Sequence, residues 1–476
     1  MSQEAEVAVK PDISVEENGT ESVENIIEQL KEAEGDKKLE LALKLAEYEP
    51  EEARPIIQLL DPTCVDTQEA INIKIGESSF PPAVAYQIFP ADFIRGYTHP
   101  KLTITLDSVT LATNVTFVGT KYVPKIEAEE LEPKSSNSGD LVSNLSNSDS
   151  VLTSLTEHMP NCEYPDPIDL IKPFMAEDTS YGDQAPLDST NMSSLFVSPF
   201  ITTGDMFIYK MSFDSELEKC FLRRMLPLAY FFIEGSRYPD ETDKNWDFYI
   251  LKHKNGDFIG YSSAYNFFSY TSGEHYMSEG YKVKKRIAQF MIMPNWQHLG
   301  IGQKFFLALL QSFQKDEEVQ IIVVEDASDE FETLRDRAQY TYVTSDAEAV
   351  SLLGLHGDIK SNIDLLCSKF KLEPLQIQRV FEMYNLRECQ DPFKPPKLLL
   401  TCIKQRLWDS NYFEGLSTVD PYEQRQQLEA GCENVLERYY TTLKITEEEG
   451  EEDDELETAS APSAKRAKMN RSIFKF

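Results

Sequence analysis

The sequence predicts an α+β protein with a mixed sheet at its centre, and three observations support this prediction. From residue 205 the hydrophobic pattern indicates a strand, a helix, three strands, a helix and a strand, in that order. A hairpin precedes the glycine-containing turn that opens the second helix, which is unlike a doubly wound dinucleotide-binding fold. Alternating strands precede this segment and helical spacing follows it. We therefore expect an N-terminal α/β module and a C-terminal helical module around a mixed-sheet core.

Composition divides the chain further into five segments. We expect residues 1–60 to be acidic and largely disordered with a short helical segment, 61–204 to form the α/β module with a Ser/Asn-rich insertion near 132–154, 205–345 to form the mixed-sheet core, 346–445 to form the helical module, and 446–476 to be a disordered tail, first acidic and then basic.

Periodicity justifies the elements before the core. Apolar residues at 26, 27 and 30 and again at 39, 42, 43 and 46 have helical spacing. Three stretches alternate like half-buried strands, at 70–75, 102–106 and 115–118.

Inside the core, residues 206–211 are predicted to form a strand and 216–233 a helix that Pro227 kinks or ends. Asn255-Gly256 separates two alternating runs, 246–253 and 258–265, and favours a two-residue hairpin turn with positive φ angles. After the core, 375–386 and 433–443 are predicted helices, and prolines between 391 and 396 interrupt the helical run.

The segment from 286 to 326 carries the clearest chemical pattern. A strand (286–293) is followed by the turn Gln297-x-x-Gly300-x-Gly302, a helix (303–313) and a strand (319–326). The glycines let the backbone approach a phosphate closely, and the N–H groups from residue 299 to 304 then point at the anion. Taken alone, the turn fits an ordinary strand-to-helix connection better than an anion site.

Acids at the end of the last strand strengthen the pattern. Acetyl transfer to a lysine requires the amine to lose a proton, which at pH 7 costs roughly 4.6 kcal/mol from a pKa near 10.4. A carboxylate beside the acyl donor can accept that proton. Glu325 and Asp326 end the strand, and Glu234 follows the first apolar helix of the core. Turn and acids together predict an acetyltransferase that uses acyl-CoA, although each acid taken alone fits an exposed terminal charge better.

An aromatic patch runs from Tyr265 to Tyr270, with Trp246 at the start of the preceding strand. Alternation places about half of these side chains in the core. The other half can form a groove that holds an extended peptide and the aliphatic stem of its lysine.

Charge and cysteine usage exclude several classes of protein. The chain has 46 Lys and Arg residues against 81 Asp and Glu residues, a net charge of −35, and its middle is acidic as well as its ends. This field repels nucleic acid and attracts cationic partners, though an acidic surface that only keeps the protein soluble would also explain the charge.

Scattered cysteines and histidines predict a reduced protein without a metal site. Without a membrane-length apolar run or a signal-peptide core, and with a basic cluster at 465–468, we expect a soluble protein of the nucleus and cytoplasm.

Several motifs in order resemble the catalytic subunit of type B histone acetyltransferase, a family of the GNAT superfamily of N-acetyltransferases. The resemblance covers most of residues 65–440 and rests on Phe232-Ile-Glu234, Trp246, Gly260-Tyr261, Tyr265-Asn-Phe-Phe, Gln289-x-Met-Ile-Met, the Gln297 turn and Glu325-Asp326-x-Ser328. It implies a GNAT-type fold for the core and acetyl-CoA as co-substrate. It also implies the N-terminal tail of histone four as substrate and a WD-repeat histone chaperone as partner.

The resemblance also implies roles at matching positions. The catalytic acids would be Glu325 as the principal base, with Asp326 and Glu234 sharing the role. Walls for the histone tail would be Trp246, Tyr265, Asn266 and Phe267. The residues implied in acetyl-CoA binding are Met291, Ile292, Met293, Gln297, His298, Leu299, Gly300, Ile301, Gly302 and Gln303.

Two other functions stay open on the sequence. One is an acetyltransferase for another amine, such as a protein N-terminus, and the other is an acidic histone-binding protein without catalysis. The segment 89–100 is also less acidic than the stretch with which the family helps to hold the tail.

Overall fold

The computed structural model describes residues 23–46, 48–121, 166–174, 194–269, 282–410 and 420–445. The predicted disorder of 1–22, the Ser/Asn-rich insertion, the acidic-to-basic tail and Tyr270 lie outside these residues. Two compact units are present: Met1–Ala338 with Leu366–Glu373, and Gln339–Leu365 with Pro374–Phe476. The finer division into five segments stays a prediction.

Helices and strands of the first unit alternate irregularly along the chain. The first part contains α1 (Val23–Glu32), α2 (Gly35–Leu45), α3 (Pro50–Leu60), β1 (Val65–Asp66), α4 (Thr67–Ala70), β2 (Ile71–Ile75), β3 (Ser78–Phe80), β4 (Phe93–Ile94), β5 (Tyr97–Leu106), β6 (Thr113–Lys121) and α5 (Pro167–Ile171). The second part contains β7 (Ile201–Thr203), β8 (Met206–Met211), α6 (Glu216–Met225), α7 (Ala229–Phe232), β9 (Trp246–His253), β10 (Phe258–Ser269), β11 (Lys282–Ile292), α8 (Ile301–Lys315) and β12 (Val319–Val324).

The remaining elements are helices. They are α9 (Asp329–Thr344), α10 (Ala347–Leu352), α11 (Ile359–Phe370), α12 (Pro374–Arg387), α13 (Lys397–Asp409) and α14 (Pro421–Leu443). Boundaries between the units fall inside α9 and α11. No helix among the described residues is both long and apolar enough to cross a membrane.

The first three helices form a small core of their own. Their buried apolar side chains, among them Ile26, Leu39 and Ile57, pack together with Phe93. The chain is therefore more helical here than one short segment. The apolar spacing in the sequence did not predict α3, which begins at Pro50 and also contains Pro55. An internal proline normally argues against a helix.

Two larger sheets share one apolar core. The four-stranded sheet has the order β3-β2-β5-β6, and the six-stranded sheet has the order β12-β11-β10-β9-β8-β7. Buried residues of both sheets, of α6 and of the turn after it belong to one cluster, which includes Ile104, Phe221 and Phe248. As predicted, Pro227 breaks the helical run, since a 3-10 turn at Leu226–Leu228 separates α6 from α7. The α+β class with mixed pairing is confirmed.

Pairing in the six-stranded sheet is antiparallel except at one edge, where β11 and β12 are parallel. The parallel pairing ends at Ile287↔Val324, although β11 continues to Ile292. The two strands therefore separate, and the far half of β11 has no strand on that side among the described residues. Glu325 and Asp326 follow β12 rather than ending it, because the strand stops at Val324.

The hairpin between β9 and β10 has a different turn from the one predicted. The N–H of His253 donates to the carbonyl of Asp257 at 2.9 Å, which leaves a three-residue loop. Among these residues only Gly256 has a positive φ, at 96°. A three-residue loop with glycine in that position is the common alternative to the two-residue turn, and Asn-Gly is compatible with both.

The second unit is helical in its described part. Arg406 of α13 forms two hydrogen bonds of 2.8 Å with the buried carboxylate of Glu382 on α12. The hydroxyl of Tyr439 on α14 donates to the same carboxylate at 2.6 Å. A buried carboxylate with a bidentate arginine and a hydroxyl donor is satisfied, so it fixes how these three helices pack.

Candidate active site

A cavity of about 640 Å³ lies where β12 separates from β11. Its lining comes from four places: the ends of the two strands, the segment after α7, the start of α9 and Val84 of the N-terminal part. All three predicted acids, Glu234, Glu325 and Asp326, line it. The fold thus brings together acids that are about 90 positions apart in the sequence.

A β-bulge in β11 shapes the floor of this cavity. Consecutive residues Ser263 and Ala264 of β10 pair with Gln289 and Ile287, so Ala288 is an extra residue. In a regular strand Arg286 and Gln289, three positions apart, would point to opposite faces. The extra residue puts both on the face of Tyr261 and Tyr265, because a bulge shifts the alternation by one.

The free edge of β11 leads to the glycine turn. Met291 and Met293 are buried, and the side-chain amide of Gln297 donates to the carbonyl of Ile292 at 2.7 Å. This bond ties the turn to the strand end, so the backbone from Met291 to Gln297 has a fixed course. A strand edge of this kind offers its N–H and C=O groups to an extended ligand.

The glycine turn leaves the start of α8 open. Gly300 precedes the helix with φ of 70°, no side chain caps the first turn, and no acid occupies it. Nothing lies within 4 Å of the position where Gly300 would carry a Cβ. The N–H of Lys304 already donates to the carbonyl of Gly300 at 3.2 Å, so it is not available to an anion, contrary to the prediction from the sequence. An uncapped helix start with open space in front of it suits an anion such as a phosphate.

Gly302 is closely packed and its φ is not positive. A Cβ on Gly302 would lie 2.8 Å from Cδ1 of Leu334 on α9, so that side chain would have to move. His298 and Leu299 of the turn are exposed, and His298 has a positive φ of 61°. The residues implied in acetyl-CoA binding thus form one continuous path, partly buried along β11 and exposed at the turn.

Glu325 is held at the point where the strands separate. Its N–H donates to the carbonyl of Ile287 at 2.9 Å, and its Oε1 lies 3.2 Å from Nη1 of Arg286. The two side chains are 36% and 32% exposed, respectively. The carboxylate therefore faces the cavity with one cation beside it and water within reach.

Asp326 and Glu234 approach the same cavity from different sides. Asp326 is exposed and has φ of 26°, in a region that L-residues rarely adopt. Glu234 is exposed on the segment after α7. The N–H of Gly235 donates to the hydroxyl of Tyr86 at 3.0 Å, and the amide of Gln87 donates to the carbonyl of Ser236 at 2.8 Å.

Gln289 connects the Glu234 segment to the sheet. Its buried amide group donates to the hydroxyl of Ser236 and to the carbonyl of Arg237, both at 3.0 Å. Its Oε1 accepts from the hydroxyls of Tyr261 at 3.0 Å and Ser263 at 3.3 Å. With all four hydrogen bonds made, this side chain fixes the position of the segment that carries Glu234.

An aromatic row leads from Trp246 towards Glu325. The ring centroids of Trp246 and Tyr265 are 4.9 Å apart, and those of Tyr265 and Phe267 are 4.6 Å apart. The guanidinium of Arg286 lies 4.6 Å from the centroid of Phe267. Because Arg286 also pairs with Glu325, the row ends at the cavity.

Asn266 faces away from this row. Its side-chain amide donates to Asp247 at 3.0 Å and to the carbonyl of Asn245 at 3.1 Å. Asp247 in turn pairs with the buried Lys285 at 2.8 Å. Alternation along β10 explains the difference, since neighbours on a strand point to opposite faces.

Two residues of this site were missed by the sequence analysis. Arg286 and Gln289 lie in the predicted strand, where a polar residue in an apolar run was the only signal. Their role depends on the bulge at Ala288, which the sequence does not mark with a glycine. No group of three or more His, Cys, Asp or Glu side chains in the described part of the chain could hold a metal ion.

Comparison with known proteins finds similarity to histone acetyltransferases. Residues 57–234 match the family model described as histone acetyl transferase HAT1 N-terminus. A "histone acetyltransferase type B catalytic subunit" of Kluyveromyces lactis is 26% identical over 396 residues, covering 80% of this chain and 91% of that protein. The protein of the same name from Debaryomyces hansenii is 28% identical over 298 residues, covering 59% and 73%.

Among solved structures, an aminoglycoside acetyltransferase from a soil metagenomic sample in complex with sisomicin aligns with 30% of this chain and 90% of its own. Its sequence identity is 17% and its TM-score is 0.22. The score is too low to support an argument about fold.

Proposed function

We propose that this chain, an acetyltransferase homologous to the type B histone acetyltransferase catalytic subunits, transfers the acetyl group of acetyl-CoA to lysines in the N-terminal tail of histone four. Histone acetyltransferase activity is supported by the names of its relatives. The histone, the lysines and the mechanism are what we propose. The observation that carries the mechanism is the cavity in which Glu325 lies beside the free edge of β11.

The chain's own groups suit acetyl-CoA as the acyl donor. The open start of α8, with Ile301, Gly302 and Gln303 as its first residues, would hold the pyrophosphate, and the edge of β11 from Ile292 to Met293 would hold the extended arm. Acetyl-CoA supplies an acetyl group as a thioester.

Proton removal is the step that the acids would perform. In the proposed direct transfer, Glu325 accepts a proton from the lysine ammonium, directly or through water, and the neutral amine then forms the amide bond as the carbon–sulfur bond breaks. The sulfur leaves as the thiolate of CoA and takes up a proton. Asp326 and Glu234 line the same cavity and would stabilise the lysine before it is deprotonated.

Substrate recognition would use the aromatic row and the charge of the chain. Trp246, Tyr265 and Phe267 form one wall along which an extended peptide can lie. Because the chain has a net charge of −35, a very basic tail would be attracted to it. Asn266 would contribute to this wall through its neighbours, since its own amide is engaged on the other face.

The decisive experiment compares acetylation of a histone-four tail peptide by wild type and by Glu325→Gln. We expect kcat to fall by at least about 100-fold, the range for loss of a general base. Glu234→Gln and Asp326→Asn are matched controls that each remove one other cavity carboxylate and should lose less. If kcat of Glu325→Gln is within a few-fold of wild type, Glu325 is not the general base and Glu234 becomes the next candidate.

Two measurements separate this proposal from its rivals. An acetyltransferase for protein N-termini would acetylate a neutral peptide with a free N-terminus as well as a basic tail, which a peptide panel shows directly. A histone-binding protein without catalysis would bind the tail but not CoA, and calorimetry with CoA tests that. We expect CoA to bind and the basic tail to be preferred.

A WD-repeat histone chaperone as partner and a location in both nucleus and cytoplasm belong to the same proposal, as does the absence of nucleic-acid and membrane partners. Family resemblance supports the chaperone, and the basic cluster at 465–468 supports nuclear import. Co-purification of the full chain with a WD-repeat protein, and imaging with and without the cluster, would test them. If the chain does not co-purify with a WD-repeat protein, the proposed partner is wrong. If its distribution between nucleus and cytoplasm is unchanged without the cluster, the proposed import signal is wrong.

A further inference from the structure

Arg286 pairs with Glu325, which lines the cavity, and the mechanism above does not use its charge. We propose that Arg286 is a positioning residue whose charge keeps the substrate lysine in its neutral, reactive form beside Glu325. The inference rests on the proposed function, because it requires a lysine to approach that carboxylate.

Two contacts hold the guanidinium in place. Nη1 lies 3.2 Å from Oε1 of Glu325, and the guanidinium lies 4.6 Å from the ring centroid of Phe267. On the strand, Arg286 is directly opposite Tyr265. Nε is buried and has no hydrogen-bond partner among the described residues. A buried donor left without an acceptor is uncommon and is typical of a site that a ligand completes.

Carboxylates alone would be poor neighbours for the reacting lysine, and four of them, Glu234, Glu325, Asp326 and Glu330, line the cavity. An opposite charge stabilises the ammonium, which cannot attack a thioester, and so raises the pKa of the lysine. A second cation on the same carboxylate offsets this effect. An ammonium in hydrogen-bond contact with Oε1, at about 2.8 Å, would lie no more than about 6 Å from Nη1 of Arg286, within the range at which like charges lower a lysine pKa.

The exposure of Glu325 lets the carboxylate release the proton that it accepts. Because its side chain is 36% exposed, a proton that it accepts can pass to water. The rate then follows the fraction of lysine that is neutral at a given pH, and this fraction increases as the lysine pKa falls. Because Arg286 packs on Phe267, its position depends on the same aromatic wall that would bind the peptide.

The test is the pH dependence of kcat, at saturating acetyl-CoA and saturating histone-four tail peptide, in three variants, because kcat reports the pKa of groups in the bound complex. Arg286→Met removes the charge and keeps an unbranched stem; we expect about tenfold lower kcat at pH 7 and an alkaline shift of the rising limb by about one pH unit. Arg286→Lys keeps a charge and should shift the limb less. Lys284→Met removes the exposed cation two positions away on the same strand, and we expect its profile to match wild type.

A less basic substrate amine separates a charge effect from a structural one. A tail peptide whose acceptor lysine is replaced by an analogue with sulfur in the side chain should recover most of the activity lost in Arg286→Met. Equal loss in both Arg286 variants, with no pH shift and no recovery, would overturn the inference. Failure of the proposed function would appear elsewhere: wild type would not acetylate the peptide, or Glu325→Gln would match it.

Discussion

Lys285 and Arg286 are consecutive residues of β11, yet their ion pairs lie on opposite faces of the six-stranded sheet and differ in burial. Lys285 is 2.8 Å from Asp247, and the two side chains are 6% and 10% exposed. Arg286 is 3.2 Å from Glu325, and the two side chains are 32% and 36% exposed. The same kind of ion pair is therefore buried on one face and accessible to water on the other.

Additional partners reinforce the buried pair. Lys210 lies 3.0 Å from the other oxygen of Asp247, and Asn266 donates to the oxygen that Lys285 contacts. Burial raises the pKa of Asp247, but Lys285, with Asn266 and Lys210, outweighs this and lowers it below the usual value. Such a network keeps one arrangement of the strands, whereas Arg286 is the one cation that forms an ion pair with Glu325 among the described residues.

Replacing Asp247 with alanine gives the largest expected effect. The change leaves Lys285 buried without its carboxylate, and removing one partner of a buried pair costs about 3–5 kcal/mol. We expect urea unfolding to show a loss of that size. The matched variant on the other face, Glu325→Ala, should change the free energy of unfolding by less than about 1 kcal/mol. Equal losses would remove the distinction between the two pairs.

Lys252 shows what a buried lysine does without a close carboxylate. Its Nζ donates to the carbonyl of Val109 at 2.7 Å and lies 4.0 Å from the ring centroid of Phe196, and burial lowers its pKa from 10.5 to about 8. Between these two values the folded protein binds fewer protons than the unfolded chain. Stability should therefore rise as pH increases from about 8 to about 10.5, by on the order of 3 kcal/mol.

The measurement is the difference in unfolding free energy between wild type and Lys252→Met across this pH range. We expect the variant to gain most relative to wild type at pH 7, where the buried charge is present, and the gain to shrink as the pH rises through 8. A difference that does not change with pH would show that Lys252 stays charged in the folded protein.

Replacing Gln289 with leucine tests the polar network on the cavity face. Tyr261 and Ser236 would lose their partner while buried, which we expect to cost about 2 kcal/mol of stability. The segment that carries Glu234 would also lose two hydrogen bonds to the sheet, so acetylation should slow as well. Ser263→Ala removes only the 3.3 Å bond and serves as the control. Slower acetylation in the control than in Gln289→Leu would contradict this assignment.

The smallest expected effect is the coupling energy between Arg286 and Glu325. A double-mutant cycle of Arg286→Met and Glu325→Gln, followed by urea unfolding, should give less than about 1 kcal/mol, as exposed pairs do. The corresponding cycle for Lys285 and Asp247 should give more. A large coupling at Arg286 would mean that the cavity pair is also structural.

Local periodicity was enough for most elements of the fold. The strand Met206–Met211 was predicted with its observed bounds, and the helix predicted at 303–313 is the centre of Ile301–Lys315. The hairpin was predicted with the wrong turn, and α3 was not predicted. Asn-Gly fits both loop lengths, and a proline inside a helix is an unusual feature that only packing makes acceptable.

The site was less accessible from the sequence than the fold. Spacing pointed to Glu325, Asp326 and Glu234 individually, and the structure places all three at one cavity. It also turns Asn266 to the opposite face and brings Arg286 onto Glu325. These orientations follow from the extra residue at Ala288 and from alternation, and nothing in the local sequence marks that residue.

By itself the sequence determined the order of strands and helices from Met206 to Val324, the glycine turn before α8 and the acids just after β12. Each of these depends on neighbours within a few positions, where propensity and periodicity act. The tertiary structure decided which side chains share a face and where β12 separates from β11. It also decided that Lys285 is buried whereas Arg286 is partly exposed. Those outcomes depend on strand register and on packing between residues far apart in the chain, which local sequence does not encode.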